Sequence, residues 1–259
     1  SVVSSITSTT ATVSGTDLAG NYYAGTDSVT FTIDNSTPTV TLTDTDANNI
    51  VSNSNVVTLT ATFSESMAAT PTISFTGIDS NVLMTATSSA SQWIYTWTVS
   101  VVSSITSTTA TVSGTDLNGN YYVGTESITF RIDNSAPIVS LTDTDSDNIV
   151  SNQDEVTITA TFSESMAATP TLSLTGIVSD TQMMATTSDT VWTYAWTVSG
   201  STVTSATATV SGTDLAGNAY SGTDSITFTI DNTAPTVTLT DTDSDNIVSN
   251  SDVVTITAT

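Results

Sequence analysis

The chain has 259 residues, 25 of them acidic and one basic, Arg131, with no Lys, His or Cys, giving a formal net charge of −24. That balance excludes a nucleic-acid reader, which needs a basic face to meet phosphates, and it opposes binding to anionic membrane surfaces. No apolar run reaches the ~20 residues needed to span a bilayer. Absence of cysteine excludes a disulfide framework, and absence of lysine excludes a Lys–Asn isopeptide crosslink. One arginine leaves trypsin a single cleavage site, a depletion suited to a protein living outside the cell among proteases.

Internal repetition organises the rest. Ser-Gly-Thr-Asp-Leu occurs at Ser14–Leu18, Ser113–Leu117 and Ser211–Leu215, and Ile-Asp-Asn at Ile33–Asn35, Ile132–Asn134 and Ile230–Asn232. From Asp17 to Asp116 to Asp214 the offsets are 99 and 98 residues. A period near 100 is too long for a solenoid turn or a propeller blade and fits a whole small domain. If each unit opens at the proline after Ile-Asp-Asn (Pro38, Pro137, Pro235), the chain divides into four parts. These are the C-terminal part of one repeat (1–37), complete repeats over 38–136 and 137–234, and the N-terminal part of another (235–259). This phase reads as an excerpt from a longer repetitive protein; the alternative is that the end pieces complement each other between neighbouring chains.

Apolar residues recur at every second position within the unit and no segment has a helical period, so half-buried antiparallel strands are predicted. In the first complete repeat seven strands fall at roughly 38–43, 55–63, 72–77, 82–87, 93–99, 108–114 and 127–133. The first leads into an acidic loop with Asp44, Asp46 and Asn48, matched by Asp143, Asp145 and Asp147 and by Asp241, Asp243 and Asp245. The second alternates Val57, Leu59, Ala61 and Phe63 with threonines, and the turn after it holds Glu65, or Glu164 in the next copy. The fifth places Trp93, Tyr95, Trp97 and Val99 on one face, matched by Trp192, Tyr194, Trp196 and Val198, and its tryptophans are expected to be substantially buried. After the sixth comes a loop with Asp116, Asn120 and Glu126, matched by Asp17, Asn21 and Asp27 and by Asp214, Asn218 and Asp224. The seventh turns Ile128, Phe130 and Ile132 inward; Arg131 points outward and is expected to be dispensable, since Thr32 and Thr229 are its equivalents.

Seven short strands in a unit of this length is the size of an immunoglobulin-like β-sandwich. The predicted fold class is all-β: tandem immunoglobulin-like seven-stranded β-sandwiches in an extended array. With no Cys pair, the core must be held by aliphatic and aromatic packing, and a fibronectin-like or cadherin-like strand order remains an alternative. The joints are too short for flexible tethers, and their prolines stiffen them further.

Three strings carry a resemblance to a known family: Ile-Asp-Asn-Thr-Ala-Pro-Thr-Val-Thr-Leu-Thr at Ile230–Thr240, Asp214-Leu-Ala-Gly-Asn218 and Thr161-Phe-Ser-Glu164. They resemble the bacterial immunoglobulin-like repeats of very large secreted or cell-surface adhesins, and the resemblance covers the entire chain. It implies an extracellular stalk of many such domains, often stiffened by Ca2+. Repeats of this type serve in adhesion, biofilm and gliding-motility proteins alike, so the resemblance does not by itself choose the role.

In a sandwich of this strand order, the first loop and the Ile-Asp-Asn exit (Asp34, Asp133, Asp231) share one end, and the Glu65 turn and Asp116 loop share the other. Nineteen of the 25 acidic residues then sit at domain ends. Asp and Asn are turn formers, which accounts for any one such loop. A joint gathering four or more carboxylates is harder to account for, because like charges repel unless neutralised. Ca2+ takes six to eight oxygen ligands, including backbone carbonyls and Asn amides, and is the expected occupant. The expected ligands are Asp34, Glu65, Asp116 and Asn120 at one joint and Asp133, Glu164, Asp214 and Asn218 at the next. The first-loop sets Asp44/Asp46, Asp143/Asp145/Asp147 and Asp241/Asp243/Asp245 are further candidates.

Without His, Cys or Lys the usual bases and nucleophiles are missing. Glycoside hydrolysis needs only two carboxylates in a cleft, but the same site repeated in every domain would be unusual, so no catalytic residue is assigned. Thr-rich strands invite an ice-binding reading, yet these threonines alternate on twisted sandwich strands rather than forming a flat array. The pairs Tyr22-Tyr23 and Tyr121-Tyr122 could form a glycan-binding patch, against which Ala219 replaces the first Tyr in the third copy. The reading reached is an extracellular, cell-surface structural stalk that makes contact with neighbouring repeats. The alternatives are a segment of a self-assembling filament or surface layer, built from other copies of the chain, and a carbohydrate-binding module. The host, surface or glycan ligand is left open.

Overall fold

A computed structural model describes residues 8–102, 104–199 and 203–259. They fall into two compact units, one running to Ala136 with Thr213–Ala219 added, the other comprising Pro137–Gly212 and Tyr220–Thr259. The described residues contain strands and no helix, and no helix is long and apolar enough to cross a membrane.

The first unit opens with an exposed antiparallel hairpin, β1 (Ser8–Thr12) and β2 (Ser28–Thr32). Nine strand segments then build a sandwich: β3 (Val40–Asp44), β4 (Ile50–Val51), β5 (Val56–Phe63), β6 (Thr72–Phe75), β7 (Asp79–Leu83), β8 (Thr85–Ala86), β9 (Gln92–Thr98), β10 (Ser107–Ser113) and β11 (Ser127–Ile132). One sheet has the order β3-β5-β9-β8 and the other β4-β11-β10-β6-β7. With the strands lettered A, A′, B, C, C′, D, E, F and G, these orders are ABED and A′GFCC′. That is the immunoglobulin-like arrangement of two antiparallel sheets with Greek-key connections.

The alternation of the sequence becomes the two inner faces. Val57, Leu59, Ala61 and Phe63 of β5 face Ile73 and Phe75 of β6, Ala110 and Val112 of β10, and Phe130 and Ile132 of β11 in a single core. Trp97 of β9 bridges the sheets, its ring centroid 4.6 Å from that of Phe75 and 5.5 Å from that of Phe130. Trp97, Trp192 and Trp196 are buried, whereas Trp93 is half-buried.

Two features depart from seven uniform strands. After the acidic loop, Asn49 takes a left-handed φ of 57° and the chain crosses to the opposite sheet. There β4 pairs parallel to β11 and fully buries Val51. The fourth predicted strand is split at Met84: β7 pairs with β6 in one sheet and β8 with β9 in the other. The buried Met84 side chain lies where the chain changes sheets. Segments this short carry no readable period.

The second unit repeats this plan with β12 (Val139–Asp143), β13 (Ile149–Val150), β14 (Glu155–Phe162), β15 (Thr171–Leu174), β16 (Val178–Gln182), β17 (Met184–Ala185), β18 (Val191–Thr197), β19 (Ser205–Ser211) and β20 (Ile226–Ile230). The sheet orders are β12-β14-β18-β17 and β13-β20-β19-β15-β16. Trp196 packs 5.4 Å from Phe228 across its core. An exposed hairpin of β21 (Leu239–Asp241) and β22 (Ile256–Ala258) follows.

Candidate metal centre

Within the first unit, the turn after β5 lies beside the loop that joins β10 to β11. Met67 forms a bridge with Asp116, and Ala68 N donates to Thr115 O at 2.9 Å. Gly114 makes this approach possible, because a Cβ there would sit 3.1 Å from Met67 Sδ and 3.2 Å from Phe63 Cζ. The side chains that would crowd that Cβ belong to the segment carrying Glu65.

Asp116, only 1 % exposed, organises its loop. Its Oδ1 accepts from Asn118 N and Asn120 N at 2.8 Å each, and its Oδ2 accepts from Asn120 Nδ2 at 2.8 Å. Burial pushes its carboxyl upward, but the hydrogen bonds from the Asn120 side chain and from backbone N–H groups of the loop outweigh it, leaving the pKa lowered. The same two asparagines reach back to the preceding linker: Asn118 Nδ2 donates to Asp34 Oδ2 at 2.8 Å and Asn120 Nδ2 to Asp34 O at 3.3 Å.

Asp34, Glu65 and Asp116 each offer one carboxylate oxygen, and these oxygens lie within 4.8 Å of one another. Glu65 responds electrostatically. Burial, then the charges of Asp116 and Asp34 and a hydrogen bond with Asp116, raise its pKa above the ordinary 4.5. The donors are all oxygen, three carboxylates with the Asp34 carbonyl adjoining, and the Asn120 amide presents its Nδ2 to that carbonyl and to Asp116 Oδ2. The chain has no imidazole or thiolate to offer. That set fits a hard cation such as Ca2+.

The loop Thr213–Ala219 repeats the design. Asp214, also 1 % exposed, accepts from Ala216 N at 2.9 Å and from Asn218 N and Nδ2 at 2.8 Å each. Asn218 Nδ2 also donates to Asp133 O at 2.9 Å. Two further residues of the first unit hold this loop through its carbonyls: Asn48 Nδ2 on Leu215 O at 3.1 Å and Ser52 Oγ on Ala216 O at 2.9 Å. Glu164 occupies, in the second unit, the turn after β14 that corresponds to the Glu65 turn.

The first-loop aspartates make local hydrogen bonds. Asp46 N donates to Asp44 Oδ1 at 2.8 Å, Asn48 N to Asp46 Oδ1 at 3.1 Å and Ile50 N to Asn48 Oδ1 at 2.8 Å. Each side chain thus caps the backbone two residues on, the turn-forming habit of Asp and Asn. Asp145 N on Asp143 (2.8 Å), Asp147 N on Asp145 (3.1 Å) and Ile149 N on Asp147 (3.0 Å) repeat the ladder. So do Asp243 N on Asp241 (2.8 Å) and Ile247 N on Asp245 (3.0 Å). Burial raises the pKa of Asp44 despite the backbone N–H of Asp46. Asp243 Oδ2 is buried with no partner among the described residues.

Asn118 carries no recurrent signal in the sequence, being replaced by Ala19 and Ala216 in the other copies. Ser52 recurs as Ser151 and Ser249 and Asn48 matches Asp147 and Asp245, but no local pattern links either of them to the Asp214 loop. Arg131 is exposed as expected, but its guanidinium Nη2 lies 2.7 Å from Asp133 Oδ2. Of the tyrosine pair, Tyr122 packs edge-on against Phe63 (centroids 6.3 Å) and accepts from Glu126 N, while Tyr121 stays exposed. Tyr220 makes the equivalent contact with Phe162.

Solved structures to which the chain is similar include a 1.5-MDa bacterial ice-binding adhesin, at 22 % identity and a TM-score of 0.48, covering 88 % of this chain and 75 % of the other. A Ca2+-stabilized adhesin that helps an Antarctic bacterium reach out and bind ice aligns at 25 % identity and a TM-score of 0.48, over 92 % of this chain and 60 % of the other. A tetra-tandem repeat from the extending region of a large adhesion protein aligns at 20 % identity and a TM-score of 0.33, over 97 % of this chain and 70 % of the other. No protein-family model matches the chain, and no curated protein matches it.

Proposed function

We propose that this chain is a stretch of an extracellular bacterial stalk, its repeats following one another along an extended axis and clamped at their joints by Ca2+. The observation that carries the reading is the convergence of Asp34, Glu65 and Asp116, from three separate segments, to within 4.8 Å. In this reading, the exit of one repeat supplies Asp34 and the next repeat supplies Glu65 and Asp116, with the Asp34 carbonyl and Asn120 beside them. Bound Ca2+ supplies positive charge that neutralises the cluster. The chain supplies the positioning: Asp116 is locked by its asparagine and backbone donors, and Gly114 lets its loop close on the Glu65 segment. By sequence equivalence, Asp133, Glu164, Asp214 and Asn218 are proposed as the next set. The repeats, the Lys-free composition and the short Pro-containing joints support a protease-resistant spacer that carries other domains away from a surface.

The test pairs calorimetry with small-angle scattering, in Ca2+ and in chelator. Millimolar Ca2+ should raise the melting temperature and give an elongated particle advancing roughly 40 Å per repeat, from strands of about eight residues at ~3.3 Å each plus loops. Unchanged melting and shape would mean that the carboxylates are solvated turns. A second reading, a glycan-binding repeat, draws on the exposed Tyr22 and Tyr121 beside acidic loops. Tyr121→Ala should leave glycan-array binding unchanged if the stalk reading holds.

A further inference from the structure

We infer that Arg131 is a built-in counter-ion for Asp133, so that the Asp133 carboxylate is partly neutralised by the protein itself and draws Ca2+ more weakly than the Asp34 carboxylate does. This inference rests on the Ca2+ reading proposed above and concerns how that reading is graded along the chain.

The two exit aspartates differ in one donor. Asp34 Oδ1 accepts from Ser36 N at 2.9 Å and its Oδ2 from the neutral Asn118 amide at 2.8 Å. Asp133 Oδ1 likewise accepts from Ser135 N, at 3.1 Å, but its Oδ2 accepts from the Arg131 guanidinium at 2.7 Å. The position corresponding to Asn118 is Ala216, which has no side-chain donor. Where the amide is missing, the chain's one cation stands in.

Strand geometry makes the exchange possible. Residues two apart on a strand share a face. Phe130 and Ile132 are buried in the core, so Arg131 points outward toward the exit where Asp133 lies. The pair is asymmetric in exposure: the Asp133 side chain is 10 % exposed and that of Arg131 62 %. A guanidinium stays ionised at all working pH values, and its bond to a carboxylate is charge-assisted. Asp133 also offers its carbonyl to Asn218 of the Asp214 loop. A divalent cation drawing on Asp133 Oδ2 must therefore displace Arg131 or share the carboxylate with it. At Thr32 and Thr229, the corresponding positions of the other copies, no such competitor exists.

The experiment is Ca2+ titration by calorimetry in a Glu65→Gln background, which disables the Asp34 set so that the heat reports the remaining one. Adding Arg131→Thr should tighten Ca2+ binding about two- to fivefold, the range that one exposed ion pair commands. The same substitution should lower the melting temperature in chelator, because Asp133 loses its cation there. Arg131→Lys should restore both values in part. Opposite movement of affinity and metal-free stability is the signature that a merely structural role for Arg131 would not produce. If Arg131→Thr leaves Ca2+ affinity unchanged while the wild-type chain binds Ca2+, the inference fails and the proposed function stands. If the wild-type chain binds no Ca2+, both fail.

Discussion

Replacing Glu65 by Gln should act in opposite directions with and without Ca2+. Glu65 sits among Asp34 and Asp116, and burial together with those two charges disfavours its ionised form. At neutral pH without metal, the folded state therefore carries a repulsion that an isosteric amide removes, and the Gln amide can still donate to Asp116. In chelator, Glu65→Gln should melt at the wild-type temperature or above it. With Ca2+ at a hundredfold excess over its dissociation constant, the wild-type chain gains about 2.7 kcal/mol by mass action. A variant that no longer binds at that concentration loses the whole increment. For a domain of about 100 residues, this corresponds to roughly 10–20 °C in melting temperature. Differential scanning calorimetry of both proteins in both buffers reads the crossing directly. Equal destabilisation in chelator and in Ca2+ would show that Glu65 is a structural residue and refute the reasoning.

Trp97→Ala should cost about 3–5 kcal/mol, the range for a large core aromatic, since the ring links Phe75 to Phe130 across the sandwich; denaturant unfolding measures it, and a loss below about 1 kcal/mol would contradict that packing. Gly114→Ala should weaken Ca2+ binding as well as stability, because the added methyl meets Met67 Sδ at 3.1 Å beside the Glu65 turn, and titration calorimetry reads the shift. The pH dependence in chelator follows from two opposite pKa shifts. The raised pKa of Glu65 means that its contribution to stability declines as pH climbs from 4.5 through the folded value. The lowered pKa of Asp116 adds stability that is present above 3.8 and lost as pH falls through its folded value. Thermal melts across that range should therefore show a metal-free optimum on the acid side that moves upward in pH when Ca2+ is added.

Much of the architecture was legible because it rests on local periodicity. Val57, Leu59, Ala61 and Phe63 alternate with threonines, and only a strand with one buried face uses that pattern. The same holds for Trp97 and Phe130, and recurrence in three copies marked which turns and aspartates belong to the plan. Long-range placement was not legible. The two-residue β4 is specified by the left-handed Asn49 and by the space that receives Val51, and the strand break is specified by the burial of Met84, none of which has a period. Asp and Asn serve as turn caps and as metal ligands with the same atoms, so the sequence alone could not separate Asp44 and Asp46 from Asp34. All three bond the backbone two residues on; what sets Asp34 apart is that it also meets Glu65 and Asp116, from 31 and 82 residues away in sequence. Arg131 followed the same rule. Its outward direction came from strand alternation, but the nearly buried carboxylate it meets came from the way the chain leaves β11 for the joint. Periodicity records which face of a strand is dry; only the folded chain determines which distant carboxylates share a place and which of them already has a cation.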